Sequence, residues 1–340
     1  MTAPQPDDPI WNEWFTVCTS ATLPVADTHA TIILGTRVIA ARCDDGTVAA
    51  YEDQCPHRGA QLSLGGFDGT RLSCPYHGWQ FDGGRCVFQP AHPTLTPPPH
   101  ITLRRFETRE RYGLVWVCLG AEPRNLTDYA PYDKRPDRNV IYGPVELGSC
   151  GPRIIENFLD MAHFPFVHPE YLGRAPHTEV PAYEVKRTPE RVEIAECQFW
   201  QPNPGPHARQ GGIVRYRYWV DTPYAAALDK FPALADGGET GAFSIMLVAS
   251  PIDEFTCRAW MITSAYGDDM PLQTFYEFNE IIFGQDIPIV ESQRPKRLPL
   301  EPTAERHQAA DKMALNYRAW LRDRGVRYGT SANAGSNVEP

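Results

Sequence analysis

Between Trp14 and Tyr51 the chain runs in short apolar, β-branched stretches such as "ATIILGTRVIAAR" and "TVAAYED", broken by Gly and Asp. That pattern predicts strands joined by turns. Further on, "RRFETRERYGLVWVCLG" predicts two more strands around a turn at Tyr112–Gly113. Residues 11–120 therefore read as one compact all-β domain, preceded by residues 1–10, which carry no periodicity and read as disordered. The Pro-rich, charged stretch "AEPRNLTDYAPYDKRPDRN" reads as the connection into a second domain, residues 121–330.

The period changes at "GPRIIENFLDMAHFPFVH". Ile154, Ile155, Phe158, Leu159 and Ala162 form one stripe at helical spacing, and Asn157, Asp160 and His163 fall on the opposite arc. Four strand-like runs follow: "RVEIAECQFW", "GGIVRYRYWV", "GAFSIMLVAS" and "TCRAWMITSAY". A long helix is predicted over roughly 272–287, and "ADKMALNYRAWLRDRG" predicts a closing helix with Gly325 near its end. The tail beyond Tyr328 reads as disordered. The fold class expected is α+β.

Composition narrows the setting. At 340 residues the chain can bury two cores, and 42% hydrophobic with 22% charged residues is ordinary for a globular protein. A net charge of -10 argues against nucleic acid or an anionic membrane as the main partner. The first residues, "MTAPQPDDPIWNEW", lack the basic and apolar regions of a signal peptide. No apolar run approaches the ~18 residues of a membrane span. Nine scattered cysteines, an odd number, suit free thiols in a reducing compartment, so a cytoplasmic location is expected.

Candidate chemistry concentrates in "CPHRGAQLSLGGFDGTRLSCPYHGWQFD". Cys55 and His57 stand one residue apart, Cys74 and His77 two apart, with sixteen residues between the pairs. A zinc finger orders its ligands Cys, Cys, His, His with the histidines on a helix. Here Cys and His alternate on turns. A Rieske [2Fe–2S] centre takes two thiolates on one iron and two imidazoles on the other, which explains the alternation. Gly59, Gly78 and Gly65–Gly66 let backbone approach sulfur, and Pro56 and Pro75 stiffen the loops.

A second constellation lies at His163 and His168. Residues five apart diverge on a continuous helix, but Pro165 disfavours helix at Phe164, so the chain can swing His168 back beside His163. Two His and one carboxylate form the facial triad of non-haem Fe(II) oxygenases. The helix over 272–287 and its flank offer Glu277, Glu280, Asp286 and Glu291 as the carboxylate.

The knuckles resemble the Rieske pattern C-x-H-x16-C-x2-H, without the extra cysteines of the respiratory-complex branch. With "DMAHFPFVH" and "FGQDIPIVESQRP", the chain from 11 to 328 resembles the catalytic α subunit of the Rieske non-haem iron oxygenases. Its length favours the short branch that includes vanillate and dicamba demethylases. "PAHP", "RYGLVWVCLG", "DMAHFPFVH" and "RLPL" look most like a subgroup containing saxitoxin-tailoring hydroxylases. The resemblance implies a Rieske domain followed by a helix-grip-like catalytic domain with an antiparallel sheet. It puts the [2Fe–2S] cluster on Cys55, His57, Cys74 and His77, and Fe(II) on His163, His168 and Asp286. It implies a head-to-tail homotrimer in which Asp160 bridges His77 of one chain and His163 of the next. Asn157, one turn earlier, helps shape the site.

The activity implied is monooxygenation: hydroxylation, or dealkylation at a methoxy or N-methyl carbon, using O2 and two external electrons. No G-x-G-x-x-G follows a strand and no plant-type C-x4-C-x2-C occurs, so a separate reductase or ferredoxin must deliver them. Arg58, Arg71 and Arg85 could meet an acidic partner. Counting back from Asp286 gives Phe283, Ile282, Asn279 and Phe275 as candidate contacts for a small to mid-sized organic substrate, a spacing that equally fits a core stripe. "QPNPGPHARQGG" reads as a loop near the pocket mouth. Two rivals remain: a cis-dihydroxylating dioxygenase, and an electron carrier whose second metal site is dead.

Overall fold

The computed structural model describes residues 3–204, 211–232, 241–267 and 269–333. The chain divides into two compact units between Asn125 and Leu126, and the segment Pro4–Ile10 belongs with the second.

The first unit is all β. Its strands are β1 (Trp14–Thr19), β2 (Asp27–Ile33), β3 (Thr36–Arg42), β4 (Val48–Glu52), β5 (Gly66–Phe67), β6 (Arg71–Ser73), β7 (Gln80–Asp82), β8 (Arg85–Phe88), β9 (Arg105–Arg111) and β10 (Leu114–Cys118). A six-stranded sheet runs β1-β10-β9-β4-β3-β2 and a four-stranded one β5-β6-β7-β8. Strand β10, "LVWVC", is buried at every position. The β9–β10 turn is tight because Tyr112 and Gly113 both take positive φ, 57° and 71°, matching the twist of the flanking strands. The first Cys/His knuckle joins β4 to β5 through a short 3-10 turn, and the second joins β6 to β7. Both cysteines lie in a cluster with Ile39, Tyr51, Leu62, Leu72 and Phe81.

The second unit is α+β. It contains α1 (Pro131–Lys134), β11 (Asn139–Leu147), α2 (Gly151–Leu159), α3 (Phe164–Val167), β12 (Lys186–Arg187), β13 (Val192–Gln201), β14 (Gly212–Thr222), β15 (Ala225–Pro232), β16 (Phe243–Asp253), β17 (Thr256–Ser264), α4 (Leu272–Ser292) and α5 (Lys312–Asp323). The sheet is antiparallel, in the order β11-β17-β16-β15-β14-β13-β12. Central β16 is buried along almost its whole length, whereas β13, near the edge, alternates. Helix α4 packs on β11, and α2 on β15 and β16. Arg318 of α5 holds α2 in place: its Nε and a terminal nitrogen donate to the two oxygens of Glu156 at 2.5 and 2.8 Å.

Several expectations need correction. Residues 3–10 are ordered: Ile10 is fully buried, and Asp8 accepts from the backbone N–H groups of Ile10 and Tyr328 at 3.0 Å each. The chain past Tyr328 also stays packed, with Ser331 N–H donating to Leu298 O at 2.9 Å; residues 334–340 lie outside the described residues. Strands β11 and β15 were not expected. Helix α4 continues through Pro288 to Ser292 rather than ending near 287. Of the loop read at 201–212, residues 205–210 lie outside the described residues.

Candidate metal centres

The two knuckles fold alike. In each, the Cys backbone N–H donates to the carbonyl five residues on, Cys55 to Ala60 and Cys74 to Trp79, both at 2.8 Å. The glycine four residues on donates back to the Cys carbonyl, Gly59 at 2.8 Å and Gly78 at 3.0 Å. Both glycines take positive φ, +74° and +69°, which a side chain rarely adopts. Gly65 approaches backbone too, since a Cβ there would meet Ser73 O, but Gly66 faces open space and has no such role.

These turns bring the four side chains to one place. The His57 and His77 rings are 4.6 Å apart between centroids. His57 stacks flat on Trp79, a residue that no spacing in the sequence singles out. Burial pushes the Cys55 thiol up to about 11; the backbone N–H groups of His57 and Arg58 oppose this, and the neighbouring Cys74 adds to it. Burial and the charges of His77 and Arg58 lower the His57 pKa, favouring the neutral imidazole. The His57 Nδ1 is buried with no hydrogen-bond partner among the described residues. Two crowded sulfurs, N–H groups aimed at one of them and an orphaned ring nitrogen fit a cluster that neutralises thiolate charge and takes imidazole on its second iron.

The second centre is built by an early helix stop. Helix α2 ends at Leu159, not near Phe164 as expected. Asp160 is extended there, and its carboxylate accepts from Ala162 N–H at 3.0 Å and His163 N–H at 3.1 Å. Pro165 then falls in the first turn of α3, where its missing N–H costs nothing. The short α3 returns His168 to His163.

Each histidine is fixed by a partner on its far side. His163 Nδ1 lies 2.8 Å from Asp160 Oδ2, and His168 Nδ1 lies 2.9 Å from Gln285 Oε1. Both partners are acceptors, so each Nδ1 carries the proton and each Nε2 keeps a lone pair. The two Nε2 atoms are nevertheless 3.2 Å apart, with Asp286 Oδ1 at 3.1 Å from one and 3.6 Å from the other. Three acceptors crowded together repel unless a cation sits among them. Ligands at right angles, each about 2.1 Å from one ion, stand about 3 Å apart, so the set fits a single metal ion. Among the described residues it is the one group of His, Cys, Asp or Glu with this metal-holding geometry. Asp160 is pushed up by burial, but the hydrogen bond and charge of His163 with the two N–H donors outweigh this and hold it below the ordinary carboxylate range.

A cavity opens beside this set. It is lined by His163, His168 and Asp286 together with apolar side chains such as Ile154, Phe164, Leu228 and Met261. Ile282 and Phe283 line it, as does Asn157, which also reaches the outer cleft containing Asp160. Phe275 and Asn279 do not. Asn279 is fully buried and bonded to Thr263 at 2.9 Å, while Phe275 packs edge-on against Phe243, so both serve the α4–sheet core. Phe278, one helical step away, takes the lining position. Gln285, Lys230 and Tyr218 also belong to this neighbourhood and were not foreseen.

Comparison with known proteins agrees with this layout. Residues 13–103 match the Rieske [2Fe-2S] domain, and residues 148–325 match the vanillate O-demethylase oxygenase C-terminal domain. The methylxanthine N1-demethylase NdmA of Pseudomonas putida is 32% identical over 91% of this chain and 88% of its own length. The structure of Pseudomonas putida CBB5 NdmA with caffeine superposes with a TM-score of 0.78 at 30% identity, covering 92% of this chain and 90% of that one. Dicamba monooxygenase bound to dicamba shares the fold, with a TM-score of 0.77 at 22% identity over 94% of this chain and 98% of that one.

Proposed function

The chain belongs to the Rieske non-haem iron oxygenases, and on that premise we propose that it hydroxylates or oxidatively demethylates a small organic molecule at the His163–His168–Asp286 centre. The observation that carries this reading is the pair of Nε2 lone pairs 3.2 Å apart beside Asp286, opening on an apolar cavity. Fe(II) held there would supply O2 activation, and a [2Fe–2S] cluster on Cys55, His57, Cys74 and His77 would supply single electrons.

The chain's own residues do the rest. Asp160 and Gln285 hold a proton on each Nδ1, so both rings face the metal as neutral donors. The apolar wall excludes water and positions the substrate C–H. Asn157 spans the cavity and the outer cleft, which suits a role in shaping both. Electrons come from a separate reductase or ferredoxin, for which Arg58, Arg71 and Arg85, all exposed, offer a basic rim. We further propose a homotrimer in which Asp160 of one chain meets His77 of the next; the Asp160 side chain is partly exposed and His77 lies at the surface, as such a bridge needs. The seven cysteines outside the knuckles form no disulfide, which supports a reducing, cytoplasmic setting. Among the described residues no helix is long and apolar enough to cross a membrane.

The test is product analysis of the iron-loaded, chemically reduced protein with vanillate and caffeine under 18O2. Iron assay should find about three irons and two acid-labile sulfides per chain. One labelled oxygen per turnover is expected, on the hydroxylated carbon or, where the methyl group is lost, in formaldehyde trapped before it exchanges with water. Two labelled oxygens, or two irons per chain with no O2-dependent turnover, would overturn the reading.

A further inference from the structure

Lys230 is an unexpected tenant of the cavity. It lies on β15, between Tyr216 of β14 and Phe243 of β16 in the strand register, and is 4% exposed. Its Nζ stands 5.4 Å from the Phe243 ring centre and 5.7 Å from that of Phe278, so aromatic faces are its electrostatic company. Asp229, next in sequence, points to the other face of the strand and accepts from Ser244. Among the described residues no carboxylate pairs with Lys230. Burial alone pushes its amine down to about 7, with no neighbouring charge contributing, although Asp286 lines the same cavity. Among the described residues a second polar group on that wall is also without a hydrogen-bond partner: the Tyr218 hydroxyl, on a fully buried side chain.

We propose that Lys230 is the specificity-determining residue of the cavity, and that its ammonium pairs with a carboxylate carried by an otherwise apolar substrate. This deepens, and rests on, the reading of the cavity as the oxygenase's substrate chamber. A buried, unpaired ammonium is costly, and aromatic faces offset only part of that cost. An apolar neutral ligand would seal the charge away from water and bear the whole penalty. A cationic ligand would add repulsion. An anion delivers the missing partner, and the apolar lining takes up the remainder of the molecule. The unpaired Tyr218 hydroxyl supplies a further donor for the same class of ligand.

The test needs binding, not turnover. Iron-loaded wild-type protein and the Lys230→Met and Lys230→Arg variants are equilibrated anaerobically with labelled 4-methoxybenzoate and with its neutral counterpart 4-methylanisole. The wild type should prefer the acid by at least about tenfold, the scale of a charge-assisted hydrogen bond. Lys230→Met should lose that preference while still taking up 4-methylanisole, and Lys230→Arg should keep it. A wild type that binds the acid no better than the ether, including one that binds neither, would overturn the proposal, as would a Lys230→Met protein that retains the preference. If the preference behaves as stated but no O2-dependent product forms, the proposed function falls and the anion site stands. If turnover occurs with no acid preference, the anion site falls and the proposed function stands.

Discussion

His168 Nδ1 lies 2.9 Å from the side-chain oxygen of Gln285, the residue immediately before Asp286 on α4. One helix therefore supplies both the carboxylate of the candidate triad and the group that orients one of its histidines. Gln285→Ala should lower iron affinity by about 10–100-fold, the usual cost of losing such a partner, while leaving the [2Fe–2S] spectrum unchanged. Competition with a chelator measures this. Unaltered iron retention would remove Gln285 from the site.

Asp160 makes the same kind of contact with His163, but it also accepts from two backbone N–H groups at the end of α2. Asp160→Asn keeps the shape and removes the charge. Both metal sites should fill and the cluster should still be reduced chemically, yet single-turnover product should fall by at least about 10–100-fold. Near wild-type product with metals intact would sink the bridging role.

The chemistry of the site was more legible in the sequence than its surroundings. Short spacings carry the two knuckles, because Cys55–His57 and Cys74–His77 need only a tight turn each. His163 and His168 were legible as a pair, although the chain reaches that pairing by another route: Asp160 stops the helix and Pro165 starts the next one. Gln285 left no trace, since an amide between Gly284 and Asp286 has no periodic signature. Strand β15 was missed because "AAALDKFP" pairs an Ala run with adjacent Asp229 and Lys230, which hides the alternation that marks a strand. With it went Lys230, whose importance comes from the sheet register and not from its neighbours in sequence. Counting helical steps found Ile282 and Phe283, but could not tell the cavity side of α4 from the side occupied by Phe275 and Asn279.

His57 is the more shielded of the two knuckle histidines, stacked at 4.3 Å on Trp79. His57→Cys would replace a neutral imidazole by a thiolate and add negative charge to the cluster. The reduction potential should drop by on the order of 200 mV or more, measured by redox titration of the visible spectrum. An unchanged potential in a correctly assembled cluster would exclude His57 as a ligand.

Arg318 ties α5 to α2 beneath the site, with Glu156 and Glu305 both accepting from it. Burial lowers its pKa, but the two carboxylates raise it more; burial raises that of Glu305, but Arg153 and Arg318 together hold it below its ordinary value. Arg318→Met leaves two carboxylates served by Arg153 alone and should cost about 3 kcal/mol at neutral pH. Glu305 has a depressed folded pKa, so its contribution is present above the unfolded value and is lost as pH falls through the folded one. The gap between variant and wild type, read by urea denaturation, should therefore narrow in acid.

Lys230 gives the opposite linkage. Its folded pKa, about 7, lies below the ordinary 10.5, so the unfolded chain holds the proton more tightly across that window. Below about pH 7 the lysine is charged in both states, and the folded state bears the full burial penalty, on the order of 5 kcal/mol. As pH rises from about 7 the folded state sheds its proton first, and the penalty shrinks until the unfolded lysine also titrates. Methionine has similar length and no charge to bury. Lys230→Met should thus be more stable than the wild type at pH 6.5, and the advantage should diminish steadily by pH 9.5. Parallel urea titrations of the two proteins at several pH values isolate this difference from every other titrating group. A stability difference that does not change with pH would mean that Lys230 is not buried as a cation, and would remove the physical basis for its pairing with an anionic substrate.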